Sequence, residues 1–317
     1  MNARILCCLI ASALLSAGCI AQSAKVEFTP AADKIDVKID GKLVTSYRFE
    51  DSLTKPVLYP LNTLSGIALH RGFPFEKVPG ETTDHPHHIG LFFTYDKVNG
   101  IGFWNNTTKP PMIKHARVVS SEPGEGKGKL VTQSEWIAKD GSTIFLIEDR
   151  SMVFKPIDHG YAMDLTLDLT ARTKIEFGDT KEGMFAIRTA DWLSEKIGKS
   201  RYFSSEGTET SKNIWGKRAK WVALEGKKDD KPVGIAILNH PTSTNYPTYW
   251  HARDYGLFSA NPLGQEEFQK SNKEPNPKPF GLTLEPGKTA RFRFLVLIYD
   301  GNKSADQINA LFDAFVK

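Results

Sequence analysis

Tyr161-Ala162-Met163-Asp164-Leu165-Thr166-Leu167-Asp168-Leu169 settles from Met163 onward into strict alternation of apolar and polar side chains. A period of two places one set of side chains on each face of an extended strand. The pattern recurs on either side. Lys34-Ile35-Asp36-Val37-Lys38-Ile39 alternates, Asp40-Gly41 supplies a hairpin turn, and residues 44–49 return. Asp140-Gly141 joins residues 130–138 to 143–154, and residues 231–239 form a further apolar strand. Residues 290–299 alternate around Arg291 and Arg293 before turning continuously apolar. Strands joined by turns, with no helical pattern between them, predict an all-β chain built as a large antiparallel β-sandwich. One helix closes it: Ser304-Ala305-Asp306-Gln307 is a capping box, and Ile308, Leu311, Phe312 and Phe315 then share a face. Residues 122–129 and the proline-rich 271–279 read as loops within a single sandwich domain spanning residues 22–317.

The 317 residues are 40% hydrophobic and 25% charged, which excludes collagen, long coiled coil and wholesale disorder. A net charge of +4, with no run of five like charges, argues against a nucleic-acid partner. All three cysteines, Cys7, Cys8 and Cys19, fall within the first nineteen residues. There Arg4 precedes an apolar run over residues 5–15, too short to span a bilayer but suited to a secretory signal. Two processing sites compete. Cys19-Ile20-Ala21 predicts cleavage after residue 21, whereas Ser16-Ala17-Gly18-Cys19 resembles a lipobox that leaves a lipid on Cys19 after a signal of residues 1–18. The expectation is an exported protein, periplasmic, secreted or lipid-anchored, that meets the membrane only through Cys19. Thiol catalysis is then excluded from the mature chain.

The candidate chemistry lies in three stretches. Asp84-His85-Pro86-His87-His88-Ile89-Gly90 gathers three of the eight histidines. Imidazole suits proton transfer near neutrality and also binds metals, so His87 and His88 are candidate acid–base groups and His85 a binding group. Pro86 is expected to hold His85 extended, and His-x-His could chelate a divalent ion, although nothing in the sequence requires a metal. A loop lock built by Asp84 and the histidines is the competing reading. The second stretch, residues 178–188, places Glu182 and Arg188 around a short apolar strand. Glu182 is a candidate acid, base or metal ligand, and Arg188 an anchor for hydroxyls or a carboxylate; a solvated pair is the structural alternative. The third runs from His240 through Trp250, His251, Arg253 and Tyr255 to Asn261. Aromatic rings beside polar groups suit sugar recognition, with His251 catalytic and His240, Trp250, Arg253, Tyr255 and Asn261 binding. His251 and Arg253, two apart on an expected strand, would face one side.

These stretches, together with Trp215-Gly216-Lys217-Arg218-Ala219 and Trp250-His251-Ala252-Arg253-Asp254-Tyr255-Gly256-Leu257-Phe258, resemble the PmoA-like family of exported bacterial proteins. The likeness runs from about Pro56 to the C-terminus, with Ile89 standing where relatives often carry Arg. Members are often labelled methane oxygenase subunits, yet a membrane copper monooxygenase subunit needs several spanning helices, and no further apolar stretch of that length follows the signal. The resemblance implies a place in glycoside utilisation and a fold similar to the galactose-mutarotase-like supersandwich. The leading expectation is therefore a carbohydrate-active enzyme that acts on a glycoside or modified sugar by hydrolysis, elimination or epimerisation. The alternatives are a non-catalytic glycan-binding lipoprotein and a metal-dependent enzyme built on the histidines.

Overall fold

A computed structural model describes residues 24–317; the expected signal peptide, both expected processing sites and Cys19 lie outside the described residues. The strands assemble mainly into two antiparallel sheets. The first has nine, in the order Tyr249–Ala252, Leu257–Asn261, Gly183–Arg188, Leu91–Tyr95, Val57–Leu61, Lys42–Arg48, Lys34–Ile39, Lys25–Pro30 and Gly124–Glu125. The second has eight, in the order Arg201–Ser204, Trp221–Lys228, Lys231–Asn239, Thr289–Asp300, Gly160–Ala171, Ile144–Ile157, Gly128–Ile137 and Met112–Glu122. The antiparallel sandwich with a C-terminal helix is thus the observed architecture. Residues 122–129, read as loop, also contribute the two-residue strand Gly124–Glu125, which pairs with Lys25 and Val26.

The alternation that predicts the fold does what its period requires. Gly160–Ala171 lies between Ile144–Ile157 and Thr289–Asp300. Leu165, Leu167 and Leu169 point into the space between the sheets and are fully buried. Asp164 and Asp168 face outward, each 2.7 Å from a guanidinium nitrogen, of Arg293 and Arg291 respectively. The two sheets meet through aromatic contacts, with Phe185 stacked on Phe294 at 4.4 Å and Phe93 at 5.7 Å from Phe292. One ion pair is sealed into this core. Arg150 Nε donates to Glu148 at 2.8 Å, and Trp136 Nε1 donates to the other oxygen of that carboxylate at 3.0 Å.

The helix Ala305–Phe315 begins at the expected capping box and packs Ile308, Phe312 and Phe315 on the outer face of the eight-stranded sheet. Its partners include Trp221, Leu238, Leu295 and Leu297, so the central strands there are buried on both faces. That double burial explains why residues 294–299 stop alternating. The outer face of the nine-stranded sheet carries a separate apolar cluster that includes Val57, Phe92, Ala186 and Leu257, covered by Ile89 and Trp104. The candidate site lies above it.

Candidate functional site

The motif Asp84–Gly90 feeds directly into Leu91–Tyr95. Gly90 has φ +53°, and a Cβ there would come within 2.3 Å of the Leu58 carbonyl oxygen, so only glycine admits this approach. The preceding residues form a turn closed by the His88 N–H on the His85 carbonyl at 2.9 Å. His85 has φ +43°, not the extended backbone expected before Pro86. Arg71 offsets that strain by donating to the carbonyls of His85, at 2.9 Å, and His88, at 3.3 Å. The turn also changes which rings meet. His85 and His88, three apart, stack at 4.9 Å and 2°, whereas His85 and His87 meet edge-on at 5.8 Å.

Asp84 organises this loop. One carboxylate oxygen lies 2.6 Å from Arg71 Nη1 and 2.8 Å from Arg188 Nη2, and both guanidiniums are fully buried. The other oxygen lies 2.9 Å from His85 Nδ1. Burial pushes the Asp84 carboxyl up, but Arg188, His85 and Arg71 together hold it below its ordinary value. Thr82 tightens the arrangement, accepting from Arg188 at 3.2 Å and donating to Asp191 at 2.9 Å. A loop lock therefore exists: Asp84 and the two arginines form it, and His85 joins it through Nδ1. His87 Nε2 and both ring nitrogens of His88 are buried without a partner. Burial drives His87 down to about 3 and His88 well below its ordinary value, so both stay neutral.

Tyr255 completes the mouth, its ring parallel to His85 at 5.3 Å and 5°. The guanidiniums of Arg188 and Arg253 lie 4.8 and 5.6 Å from the Tyr255 ring centre. Burial, with help from Glu182 and Asp84 and against Arg253 and Arg188, raises the Tyr255 phenol and keeps it a proton donor. Glu182 lies 3.4 Å from Lys181 and precedes Gly183, which pairs with Tyr95, whereas the histidine turn leads into Leu91 at the other end of that pairing. Arg188 is not the solvated partner that the alternative reading required: its side chain is sealed above the sheet. Arg253 has left the strand, which ends at Ala252, and opens the turn closed by the Gly256 N–H on the Arg253 carbonyl. Beside it is a cleft of about 350 Å³ lined by Trp215, Arg253 and Asp254 among others.

The remaining candidates lie elsewhere. His251 is paired with Ser259 in the sheet, lies 2.9 Å from the Lys181 carbonyl through Nδ1, and has its ring 6.3 Å from Trp215. Burial lowers it to about 3. It borders the cleft residues but lies along the sheet from the three-histidine turn. Trp250 is fully buried in the inter-sheet core, its indole donating to the Ala219 carbonyl at 3.0 Å. Asn261 is spent on backbone, donating to the Thr180 carbonyl at 2.9 Å and accepting from the Leu263 and Gly264 N–H groups. His240 belongs to the opposite side of the sandwich, 3.2 Å from Arg293 and against Phe315 of the C-terminal helix. The sequence reading missed Arg71, Lys55 and Trp104, none of which stands in a recognisable motif. Among the described residues no group of three or more His, Cys, Asp or Glu side chains is arranged to hold a metal ion.

Fold and site define a two-sheet antiparallel sandwich that carries a histidine-rich turn, backed by buried arginines, on the outer face of one sheet. Residues 34–313 match the family of unknown function DUF6807, and the chain belongs to that family. This corrects the PmoA-like assignment that the four sequence motifs suggested. No curated protein matches the chain. Among solved structures it is similar to heparan sulfate lyase HepC from Pedobacter heparinus, at 10% identity and a TM-score of 0.38 over 89% of this chain and 36% of that one. The chain thus spans about a third of that lyase's length. It is also similar to a galactose mutarotase-like protein from Clostridium acetobutylicum, at 10% identity and a TM-score of 0.37, covering 89% and 99% of the two chains. A galactose mutarotase related enzyme from Lactobacillus acidophilus matches at 7% identity and a TM-score of 0.33, covering 88% and 98%. Likeness at this level transfers no activity, and function has to be argued from the site.

Proposed function

We propose that the protein is an exported carbohydrate-active enzyme that acts on a glycoside or modified sugar by acid–base chemistry, with His85 as the proton-transfer group. One observation carries this reading: His85 lies with Nδ1 2.9 Å from Asp84, in a side chain 41% exposed. A carboxylate on one ring nitrogen fixes the tautomer and directs the other nitrogen outward, the arrangement a general base needs. His87 and His88, assigned that role from sequence, lie deeper and support the ring from below. Tyr255 supplies a donor at the same mouth, and Arg253 with Trp215 offers a wall for a sugar ring in the adjoining cleft.

Hydrolysis, elimination and epimerisation all require a proton moved at a sugar carbon or a glycosidic oxygen, so one test covers the three. Purified protein is incubated with a panel of glycosides and uronides in deuterated water. Reducing-end release, unsaturated product and deuterium incorporation are read together. Any of these signals, lost in His85→Gln with the thermal melt unchanged, supports the proposal. Sugar affinity with no product would instead favour the non-catalytic glycan-binding reading. Export and the competing lipid on Cys19 are read from the mass of the mature N-terminus.

A further inference from the structure

Five polar atoms in one neighbourhood are buried without a partner: Lys55 Nζ, Trp104 Nε1, His87 Nε2 and both ring nitrogens of His88. They gather around Phe92. Lys55 Nζ lies 5.3 Å from the Phe92 ring centre, and the Trp104 and His88 rings lie 5.1 and 5.8 Å from it. His88 is 5.5 Å from Trp104 and 4.4 Å from His87, so the group is one cluster. Lys55 is only 2% exposed and Trp104 is fully buried.

The chemistry of these groups is lopsided. An ammonium and an indole N–H can only donate, and each neutral imidazole has one donor and one acceptor nitrogen, so donors outnumber acceptors in the set. Buried donors are almost always satisfied in folded proteins, so a set of them around one point signals an acceptor that the chain does not itself provide. The nearby carboxylate, Asp84, is already engaged by Arg71, Arg188 and His85. Burial alone acts on the Lys55 amine, lowering it to about 7, with no acidic side chain opposing it. Lys55 also borders a cleft of about 580 Å³ whose lining mixes acids, Asp33, Glu50 and Asp51, with Lys109, Lys114 and His115.

We infer that the cluster of Lys55, Trp104, His87 and His88 binds the oxyanion of an acidic sugar, a uronate carboxylate or a sulfate ester, beneath His85. A carboxylate or sulfate would accept from the ammonium and the indole together and leave the imidazoles to complete its shell. This rests on the reading of His85 as the centre of a sugar site, and it names the substrate class of that site.

Calorimetry at neutral pH with glucuronate, glucuronamide and glucose 6-sulfate tests it, with inorganic sulfate as a further probe. The expected result is that at least one acidic sugar binds about 10- to 100-fold more tightly than the neutral amide. Glucuronate and glucose 6-sulfate distinguish the two oxyanion sources, and tight inorganic sulfate would show that the anion suffices without the sugar. Lys55→Met should abolish the preference without lowering the melting temperature, because it replaces an unpaired buried amine with an apolar chain of similar length. Trp104→Phe should weaken the preference in part. Equal binding of acids and amide overturns the proposal, as does a Lys55→Met protein that keeps its preference. Charge discrimination without turnover would retain the anion site while removing the enzyme reading. Turnover of neutral glycosides without such discrimination would do the reverse.

Discussion

Asp84 and His85 are joined through side chains as well as backbone: one carboxylate oxygen lies 2.9 Å from the imidazole Nδ1 while Arg71 and Arg188 grip the other. A carboxylate held from behind by two buried guanidiniums cannot rotate away, so the ring it contacts is fixed as well. The exposed histidine of the turn is therefore the best oriented of the three.

His85→Gln should reduce turnover of a responsive glycoside by about 10²- to 10⁴-fold, the usual contribution of a general acid or base. Its melting temperature should stay near that of the wild type, since the ring is largely outside the core. His251→Ala behaves differently. It removes a buried ring bonded to the Lys181 carbonyl, and its melt should fall whether or not activity does. Scanning calorimetry beside an activity assay separates the two.

Asp84→Asn leaves Arg71 and Arg188 sealed together with their shared charge partner gone. The guanidiniums are buried but the Asp84 side chain is 44% exposed, so water partly replaces it and the cost should fall below that of a fully buried pair, at about 1–2 kcal/mol. Urea unfolding of the variant should show a loss of that order. A stability within about 0.5 kcal/mol of wild type, the range of ordinary surface substitutions, would mean that the guanidiniums do not depend on this carboxylate.

Acid should destabilise the protein before its carboxylates titrate. Burial lowers His70 to about 4 and His87 and His251 to about 3, and drives His88 well below the ordinary 6.5. Below pH 6.5 the unfolded chain therefore binds protons that the folded chain refuses. Stability is full above about 6.5 and falls as pH drops toward the folded-state values, by up to about 1.4 kcal/mol per pH unit for each histidine. Urea midpoints measured from pH 7 to pH 4 should decline steadily, and a flat profile over that window contradicts the assignment of neutral buried rings.

Glu148→Gln tests the core ion pair independently of the site. Arg150 is buried between the sheets, and losing its carboxylate should destabilise the fold by about 3–5 kcal/mol. Ser304→Ala removes the N-cap bond of the C-terminal helix and should cost about 1 kcal/mol. Both are read by the same urea titration, and the two losses should differ several-fold.

How much of this was legible depends on the range of the interaction. Gly160–Ala171 and Lys34–Ile39 were readable because alternation is a local signal and the buried face of a strand must be apolar. The capping box at Ser304 was readable for the same reason, since its four residues contact one another. The three-histidine turn was visible as composition, but its geometry was not. Pro86 suggested an extended His85, and the opposite held because Arg71, thirteen residues before Asp84, reaches the carbonyls of the turn. Trp250 and Asn261 looked like binding groups because aromatic and amide side chains serve sugars and cores equally well, and only burial distinguishes the uses.

The sequence by itself determined the antiparallel sandwich, its closing helix and the turn where the histidines concentrate. Each of these follows from neighbours within a few residues, whose spacing decides which face or turn they occupy. Only the tertiary structure decided that His85, Arg188, Arg253 and Tyr255 share a mouth, that His240 lies across the sandwich, and that Lys55 ends unpaired beneath the turn. Strand order brings Gly183–Arg188 between Leu91–Tyr95 and Leu257–Asn261. That order is set by burying the faces of distant strands against each other, a long-range requirement that no local pattern records.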